Sequence, residues 1–412
     1  MKVELVAVGT ELLLGFTVDT NGAEIARALA AHGVRVVRRT AVGDRDEDIR
    51  AAVGDGLSRT GTVITTGGLG PTSDDRTKIA IAGLFAAELR FDEGVWAGLL
   101  ERFRRLGRAP AASNRSQAEV PVGAEVLPNR WGTAPGLWLE GAPGLVVMLP
   151  GVPHEMRRLL EYEVMPRLAG RVSGSVIRSR AVRTTAIAES ALAERMGEVE
   201  RDIAPLTLAY LPGVEGVDLR ASAWNLDPAD ADRLLADAVR LLRERAGEHA
   251  YGDDETDLAQ LVLERARSAR RTLGTAESCT GGLVGARLTA IPGSSEAYAG
   301  GVVCYSNRLK IELLGVPRPL MEEHGAVSEA VALAMAEGAR DRLGCDLAAA
   351  VTGIAGPGGG SAEKPVGTVW IALADAAGSA ARHIVFAGSR QEIRERAAQT
   401  ALFLLQRRLA TG

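Results

Sequence analysis

The chain has 412 residues, 46% hydrophobic and 24% charged, with a formal net charge of −4. At about 150 residues per domain this length predicts two or three globular cores. The basic residues are scattered, no run reaches the roughly 18 apolar residues of a membrane span, and Cys279, Cys304 and Cys345 lack metal-type spacing, so nucleic-acid binding, membrane insertion and a zinc or disulfide framework are not expected.

Met1 to Gly9 carries Glu4 inside a short apolar run, which reads as a strand and not a signal peptide, so a cytoplasmic protein is expected. Val3 to Val8 is the first strand. Thr20 to Ala31 follows as a helix with Ile25, Leu29 and Ala30 on one face and Gly33 as its stop, and Val34 to Val42 is the next strand. A helix from about Asp46 to Leu57 and a strand from Thr62 to Thr66 complete a β-α-β-α-β order, which predicts right-handed crossovers and a parallel sheet.

Ligands of such sheets bind beyond the carboxyl ends of the strands. Three strands here end in Gly9-Thr-Glu-Leu12, Gly43-Asp44 and Gly67-Gly-Leu-Gly-Pro-Thr-Ser-Asp-Asp75. The backbone N–H groups around Gly67, Gly68 and Gly70 can cradle a phosphate, and Asp44, Asp74 and Asp75 can hold a hard cation against it. The alternative is a plain glycine-rich turn in which Asp74 or Asp75 caps the helix beginning near Arg76.

Amphipathic helices from Arg76 to Ala87 and Asp92 to Leu106 lead into a loop-rich stretch, Ala109 to Arg130, and then a strand pair between Trp131 and Pro150. Glu155 opens the next helix; it can face the same mouth or serve as a dipole partner. Composition shifts near Arg171 to Ser175. A small α+β segment then runs from Val176 to His249, with strands around Leu206 to Leu211 and Val217 to Trp224 and helices at Ser190 to Asp202 and Asp230 to Ala246; a connecting or dimer-building role is expected. Tyr251 to Thr256 reads as a polar linker whose Asp254 or Thr256 caps a helix from Asp257 to Ser268.

The last segment is again α/β. A strand from Thr272 to Ala276 ends on Glu277-Ser-Cys-Thr-Gly-Gly282, which opens a helix to Leu288. Such a turn favours anions and developing negative charge, so Ser278 is placed as a nucleophile with Thr280, Gly281 and Gly282 beside it. A capped helix start with small residues for packing is the alternative. Further strands are expected at Gly301 to Tyr305, Asp346 to Thr352, Gly367 to Asp375 and His383 to Phe386, with helices at Ser328 to Leu343 and Arg390 to Leu409. Tyr305-Ser-Asn-Arg-Leu-Lys310 carries a phenol and an amine; a buried lysine has a lowered pKa and can activate a serine without histidine. The loop from Thr352 to Gly360 can wrap a phosphate or ribose, and Arg394 can add a charged contact.

The Glu277–Gly282 turn, the Tyr305–Lys310 segment, Val351-Thr-Gly-Ile-Ala-Gly-Pro-Gly-Gly-Gly360 and Pro365-Val-Gly-Thr-Val-Trp370 together resemble the C-terminal domain of the CinA family, which includes nicotinamide mononucleotide (NMN) deamidases. Gly9-Thr-Glu-Leu-Leu-Leu-Gly15, Asp19-Thr-Asn-Gly22 and Gly67 to Asp75 resemble that family's molybdopterin-binding-like domain. The resemblance implies a molybdopterin-binding-like α/β domain over residues 1–170, a KH-like α+β linker over 171–252 and an α/β deamidase domain over 253–412. It also implies Ser278 as nucleophile, Lys310 as base, Tyr305 as an orienting or relaying partner, and Thr280, Gly281, Gly282, Thr352, Gly353 and Arg394 at the nucleotide phosphate or oxyanion. Cys279 is a competing nucleophile.

For the N-terminal domain the resemblance implies ADP-ribose pyrophosphatase activity with a divalent metal at Asp44, Asp74 and Asp75, with Asn21 and Glu155 as lesser candidates. No cofactor is expected for the deamidase, and a homodimer is. The alternative is a nucleotide- or pterin-binding scaffold without turnover, tied to competence or DNA damage. One departure is that Thr185-Ala-Ile-Ala-Glu-Ser190 lacks the glycine expected before its Glu-Ser pair, which removes the basis for a ligand role at Glu189 and Ser190.

Overall fold

The computed structural model describes residues 1–172 and 176–410 and divides into two compact units. One comprises Met1–Arg178 with Ala223–Arg233, the other Ser179–Ser222 with Leu234–Gly412. The composition shift expected near Arg171 to Ser175 falls largely on 173–175, which lie outside the described residues.

The first unit is built on a six-stranded sheet in the order Arg35–Val42, Lys2–Val8, Thr62–Thr66, Gly144–Leu149, Gly136–Gly141, Glu125–Leu127. The first four strands are parallel, as the β-α-β-α-β reading predicts, and the last two turn antiparallel. Alternation along Lys2–Val8 feeds two cores. Val3 and Leu5 meet Ile25 and Leu29 of the helix Thr20–Ala31, while Val6 and Val8 meet Ile49 and Val53 of the helix Asp46–Thr60. Each such buried side chain contributes up to roughly 1.5–3 kcal/mol. Glu4, buried in the same strand, is matched by Arg59, whose Nε and Nη2 donate to its carboxylate at 2.6 and 2.8 Å. Those bonds hold its pKa below the ordinary carboxylate range. The stretch read as loop-rich, Ala109 to Arg130, is more ordered than expected: it holds a 3-10 helix, Ala112–Ala118, and two short strands, Glu119–Pro121 and Glu125–Leu127.

In the second part of the chain a four-stranded sheet runs Thr207–Pro212, Val217–Leu226, Val176–Thr184, Ala250–Asp253. The last of these corrects the polar-linker reading. Ala250–Asp253 pairs antiparallel with Val176–Thr184, and Tyr251 is buried with the Arg183 guanidinium 5.4 Å from its ring centre. The acidic residues that follow mask this strand in the sequence. Its neighbour helix, Leu258–Ser268, is capped by Asp257, which accepts from Ala259 N, and not by Asp254 or Thr256.

A five-stranded sheet forms the rest, in the order Tyr298–Val303, Leu273–Glu277, Leu347–Gly353, Thr368–Asp375, Gly378–Val385. The first three are parallel and the last two antiparallel. Leu273–Glu277 is the second of the five and buried throughout, so its carboxyl end opens between Tyr298–Val303 and Leu347–Gly353. The helix Arg390–Ala410 packs Leu402, Phe403 and Leu405 into the core on one face of this sheet, and its alanines at 397, 398 and 401 favour helix. The helix Glu329–Leu343 covers the other face with Val331, Met335 and Ala339.

Candidate active site

Strand Leu273–Glu277 makes its last contact to the neighbouring strand through Ser278 N, which donates to Val351 O, and the chain then turns through Gly281 and Gly282, both with positive φ. Only residues without a Cβ adopt that pair of conformations cheaply. The turn leaves Ser278 8% exposed, at the strand's carboxyl end. Lys310, in the second turn of the helix Asn307–Leu314, reaches it from the neighbouring connection: Nζ lies 2.9 Å from Ser278 Oγ. The amine is 1% exposed and also meets Cys304 O at 2.9 Å and Tyr305 O at 3.4 Å. Among the described residues no carboxylate pairs with it. Burial, the largest effect, pushes its pKa below the ordinary lysine value, while the nearby thiols of Cys304 and Cys279 act the other way.

Cys279, the competing nucleophile, points into the hydrophobic core with Val284 and Ile393 among its cluster. Burial pushes its thiol up to about 12. A thiol held neutral at physiological pH is a poor nucleophile, so the local chemistry favours Ser278.

The structure corrects the part expected of Tyr305. Its ring is 59% exposed, and its hydroxyl accepts from Arg390 Nη2 at 2.9 Å and not from the Ser278–Lys310 pair, which it touches only through its backbone carbonyl. The glycine N–H groups of the turn are corrected too. Gly281 N donates to Ser278 O, and Gly282 N donates to the carboxylate of Glu277 at 3.0 Å. That carboxylate also takes Val284 N and Gly285 N, so the start of the helix Leu283–Thr289 is already closed by the chain's own anion. Thr280 is fully buried, its hydroxyl without a partner, and its carbonyl holds Arg394 Nη2 at 2.9 Å. Thr352 donates its hydroxyl proton to Ala326 O, and Gly353 packs on Thr368 and Val369, so both shape the neighbouring loop.

Arg394 is therefore the charged group that the fold brings to the turn. Arg390, one helical turn earlier, joins it by bridging Gly356 O and the Tyr305 hydroxyl. Sequence reasoning missed Arg390 and Glu277. The first signal was an arginine four residues before Arg394, on the same helix face; the second was a carboxylate immediately before a helix-opening turn.

In the first unit, Gly67 has φ +104 and a Cβ there would lie 2.2 Å from Val8 O, so the strand end needs glycine. Gly67 N is committed to Leu149 O, so a phosphate cradle can begin only at Gly68. Gly70 sits against Asp75, whose Oδ2 accepts from Thr72 N and Oγ1, so Asp75 shapes its own loop. Asp44 accepts from Thr10 N at 3.0 Å and Thr10 Oγ1 at 2.7 Å. Asp44 and Asp74 line one shallow cavity of about 500 Å³ with Thr10, Arg45 and Arg76. Hydrogen bonding from Thr72 lowers the Asp74 pKa, which keeps it ionised.

Asn21 donates to Thr66 Oγ1 and Gly151 O and leaves its buried Oδ1 unpartnered. Glu155 lies elsewhere in its contacts: it is buried under Gly132 and bonded to Asn129, so it braces the 129–132 loop. Among the described residues no three His, Cys, Asp or Glu side chains stand together as a metal cage. The donor set at Asp44 and Asp74 fits only a cation that takes its remaining ligands from water and substrate oxygens, as magnesium commonly does.

Comparison with known families divides the chain into three segments, where its internal contacts divide it into two units. Residues 4–170 match a model described as "Probable molybdopterin binding domain", 179–252 match "Damage-inducible protein CinA KH domain", and 255–409 match "CinA C-terminal domain". A CinA-like protein of Gemmatimonas aurantiaca is 53% identical over 414 residues, covering 100% of this chain and 97% of the relative. One from Salinibacter ruber is 41% identical over 412 residues, covering 100% of both. The crystal structure of a competence/damage inducible protein from Agrobacterium tumefaciens aligns with a TM-score of 0.36 at 42% identity, over 38% of this chain and 96% of that one. In the described residues no helix is long and apolar enough to cross a membrane.

Proposed function

The chain belongs to the CinA family, and from that premise we propose that its C-terminal domain hydrolyses the carboxamide of NMN to nicotinic acid mononucleotide and ammonia. The observation that carries this reading is the 2.9 Å contact between a buried lysine and a serine at a strand end. A neutral amine has two N–H donors, which the carbonyls of Cys304 and Tyr305 match, and one lone pair, which is left for the Ser278 hydroxyl proton. Burial favours that neutral form.

In the proposed reaction Lys310 takes the Ser278 proton as Oγ attacks the carboxamide carbon. The protonated amine then delivers a proton to the departing nitrogen, and ammonia leaves behind an ester on Ser278. Water, losing its proton to Lys310, attacks that ester and frees the acid and the serine. Arg394 binds the phosphate of the nucleotide, with Arg390 holding the Gly353–Gly360 loop against Tyr305. A non-catalytic binding site has no need of a serine next to a desolvated base, which favours turnover over a scaffold.

For the first unit we propose metal-dependent hydrolysis of the pyrophosphate of ADP-ribose. Asp44, oriented by Thr10, and Asp74 would hold a divalent cation, and the backbone from Gly68 onward would receive phosphate oxygens. Such a cation would neutralise the pyrophosphate and hold it for attack by water.

The test is ammonia release from NMN by the full-length protein beside Ser278→Ala. Release by the parent protein alone is the expected outcome. Release by both would remove Ser278 as nucleophile, and release by neither, with both folded, would overturn the deamidase.

A further inference from the structure

A second cavity, of about 580 Å³, lies within the second unit between the turns Thr185–Glu189 and Pro212–Val217 on one side and Arg382–Phe386 with the helix Arg390–Ala410 on the other. Its volume falls in the range of small-molecule sites. At its floor is Gln399, 1% exposed. Arg287 Nη1 donates to Gln399 Oε1 at 2.6 Å, and because a guanidinium can only donate, the amide oxygen must face it. The amide nitrogen is therefore fixed on the other side, where it has no partner. A buried donor left unmatched costs about 1–3 kcal/mol unless something supplies an acceptor.

Charge and shape narrow what that something is. Arg382 and Arg396 line the cavity; Arg396 spends one N–H on Ala387 O, and Arg382 has no ion-pair partner among the described residues. Of the two lining carboxylates, Glu215 already pairs with Arg183 and Arg287, leaving Glu189 against two guanidiniums. Ile187, Val214, Ile384 and Phe386 give the remaining wall an apolar surface. Ala186 sits on the rim with φ +58, a conformation that costs a non-glycine residue about 1 kcal/mol or more. Its turn is pinned there by Thr185 Oγ1, which donates to Glu215 O at 2.7 Å.

We propose that this cavity binds a nucleoside monophosphate, with the phosphate at Arg382 and Arg396, the base against the apolar wall, and a ring acceptor on Gln399 Nε2. The site is separate from the Ser278 turn but shares a helix with it. Arg390 and Arg394 occupy one face of Arg390–Ala410, and Arg396, Gln399 and Thr400 another.

The experiment is calorimetric titration of AMP into the full-length protein, compared with Arg382→Ala, Gln399→Met, Arg394→Ala and Asp44→Ala, with inorganic phosphate as a second titrant. One AMP site is expected to weaken about tenfold or more in Arg382→Ala and several-fold in Gln399→Met, and to persist in Arg394→Ala and Asp44→Ala. Arg382→Ala removes an exposed side chain, so its ammonia release is expected to stay at the parental level and report an intact fold. No AMP binding, or AMP binding lost only in Arg394→Ala or Asp44→Ala, would overturn the site. Phosphate binding as tightly as AMP would overturn the role of the base.

Discussion

At Ser278 a parallel strand ends in a turn where the serine hydroxyl is bonded to Lys310 and nearly closed to water, whereas at Asp44 and Gly67 parallel strands end in an open rim with a half-buried and an exposed carboxylate. The topology is the same and the finish is opposite. A hydroxyl and a neutral amine tolerate burial once their few hydrogen bonds are met, so a site made from them can be assembled in advance. Carboxylates intended for a cation cannot be desolvated before it arrives, because uncompensated buried charge is costly. On the proposed reading, the Ser278–Lys310 pair is assembled in advance, whereas Asp44 and Asp74 would await a cation.

The largest test of that contrast is Lys310→Met, which keeps the side-chain bulk and removes the base. Ammonia release from NMN is expected to fall on the order of 10³-fold or more, with cleavage of ADP-ribose unchanged; a fall below tenfold would reduce Lys310 to a structural role. Next in size is removal of metal. Chelation with EDTA, or Asp44→Ala, is expected to lower ADP-ribose cleavage by about 10–100-fold and leave ammonia release alone, and loss of both activities would argue against two independent sites.

A smaller and more graded effect is pH. Lys310 must be neutral to act, and burial lowers its pKa below the ordinary 10.5. The kcat/KM for NMN should therefore rise with pH and level off at that lowered value, dropping about tenfold per pH unit below it. A pH–rate profile with no such limb would contradict the base assignment. The smallest effect is expected for Cys279→Ala. Burial pushes this thiol up to about 12, so on the proposed reading activity should stay within about threefold while denaturant unfolding shows a loss of about 1 kcal/mol from the core.

Much of this was legible in the sequence because strand ends are written in local terms. The glycines at 67, 281 and 282 and the apolar runs before them mark where chains turn, and the parallel order follows from helices between strands. Burial is not local. By itself Lys310 reads as a solvated surface amine, and only the resemblance of its surrounding segment proposes it as a base; its burial against two backbone carbonyls, which the sequence does not write, is consistent with that proposal. Direction is not local either. Tyr305 lies where expected in the chain, yet its phenol turns outward to Arg390, a partner 85 positions away. The strand Ala250–Asp253 was hidden for a third reason, that acidic neighbours and a short length outweigh two buried positions in any reading by composition.

Glu277 has a consequence for the history such a site can take. Its carboxylate fills the helix opening that in many folds greets a phosphate, with three N–H contacts at 2.8–3.0 Å. The turn's backbone donors are thus already taken by a tethered anion, so on the proposed reading a nucleotide phosphate would be met by Arg394 and not by the helix opening. A single loss of charge at position 277 would unlock that vacancy, so a descendant of this protein could acquire a new anion preference by releasing donors it already possesses.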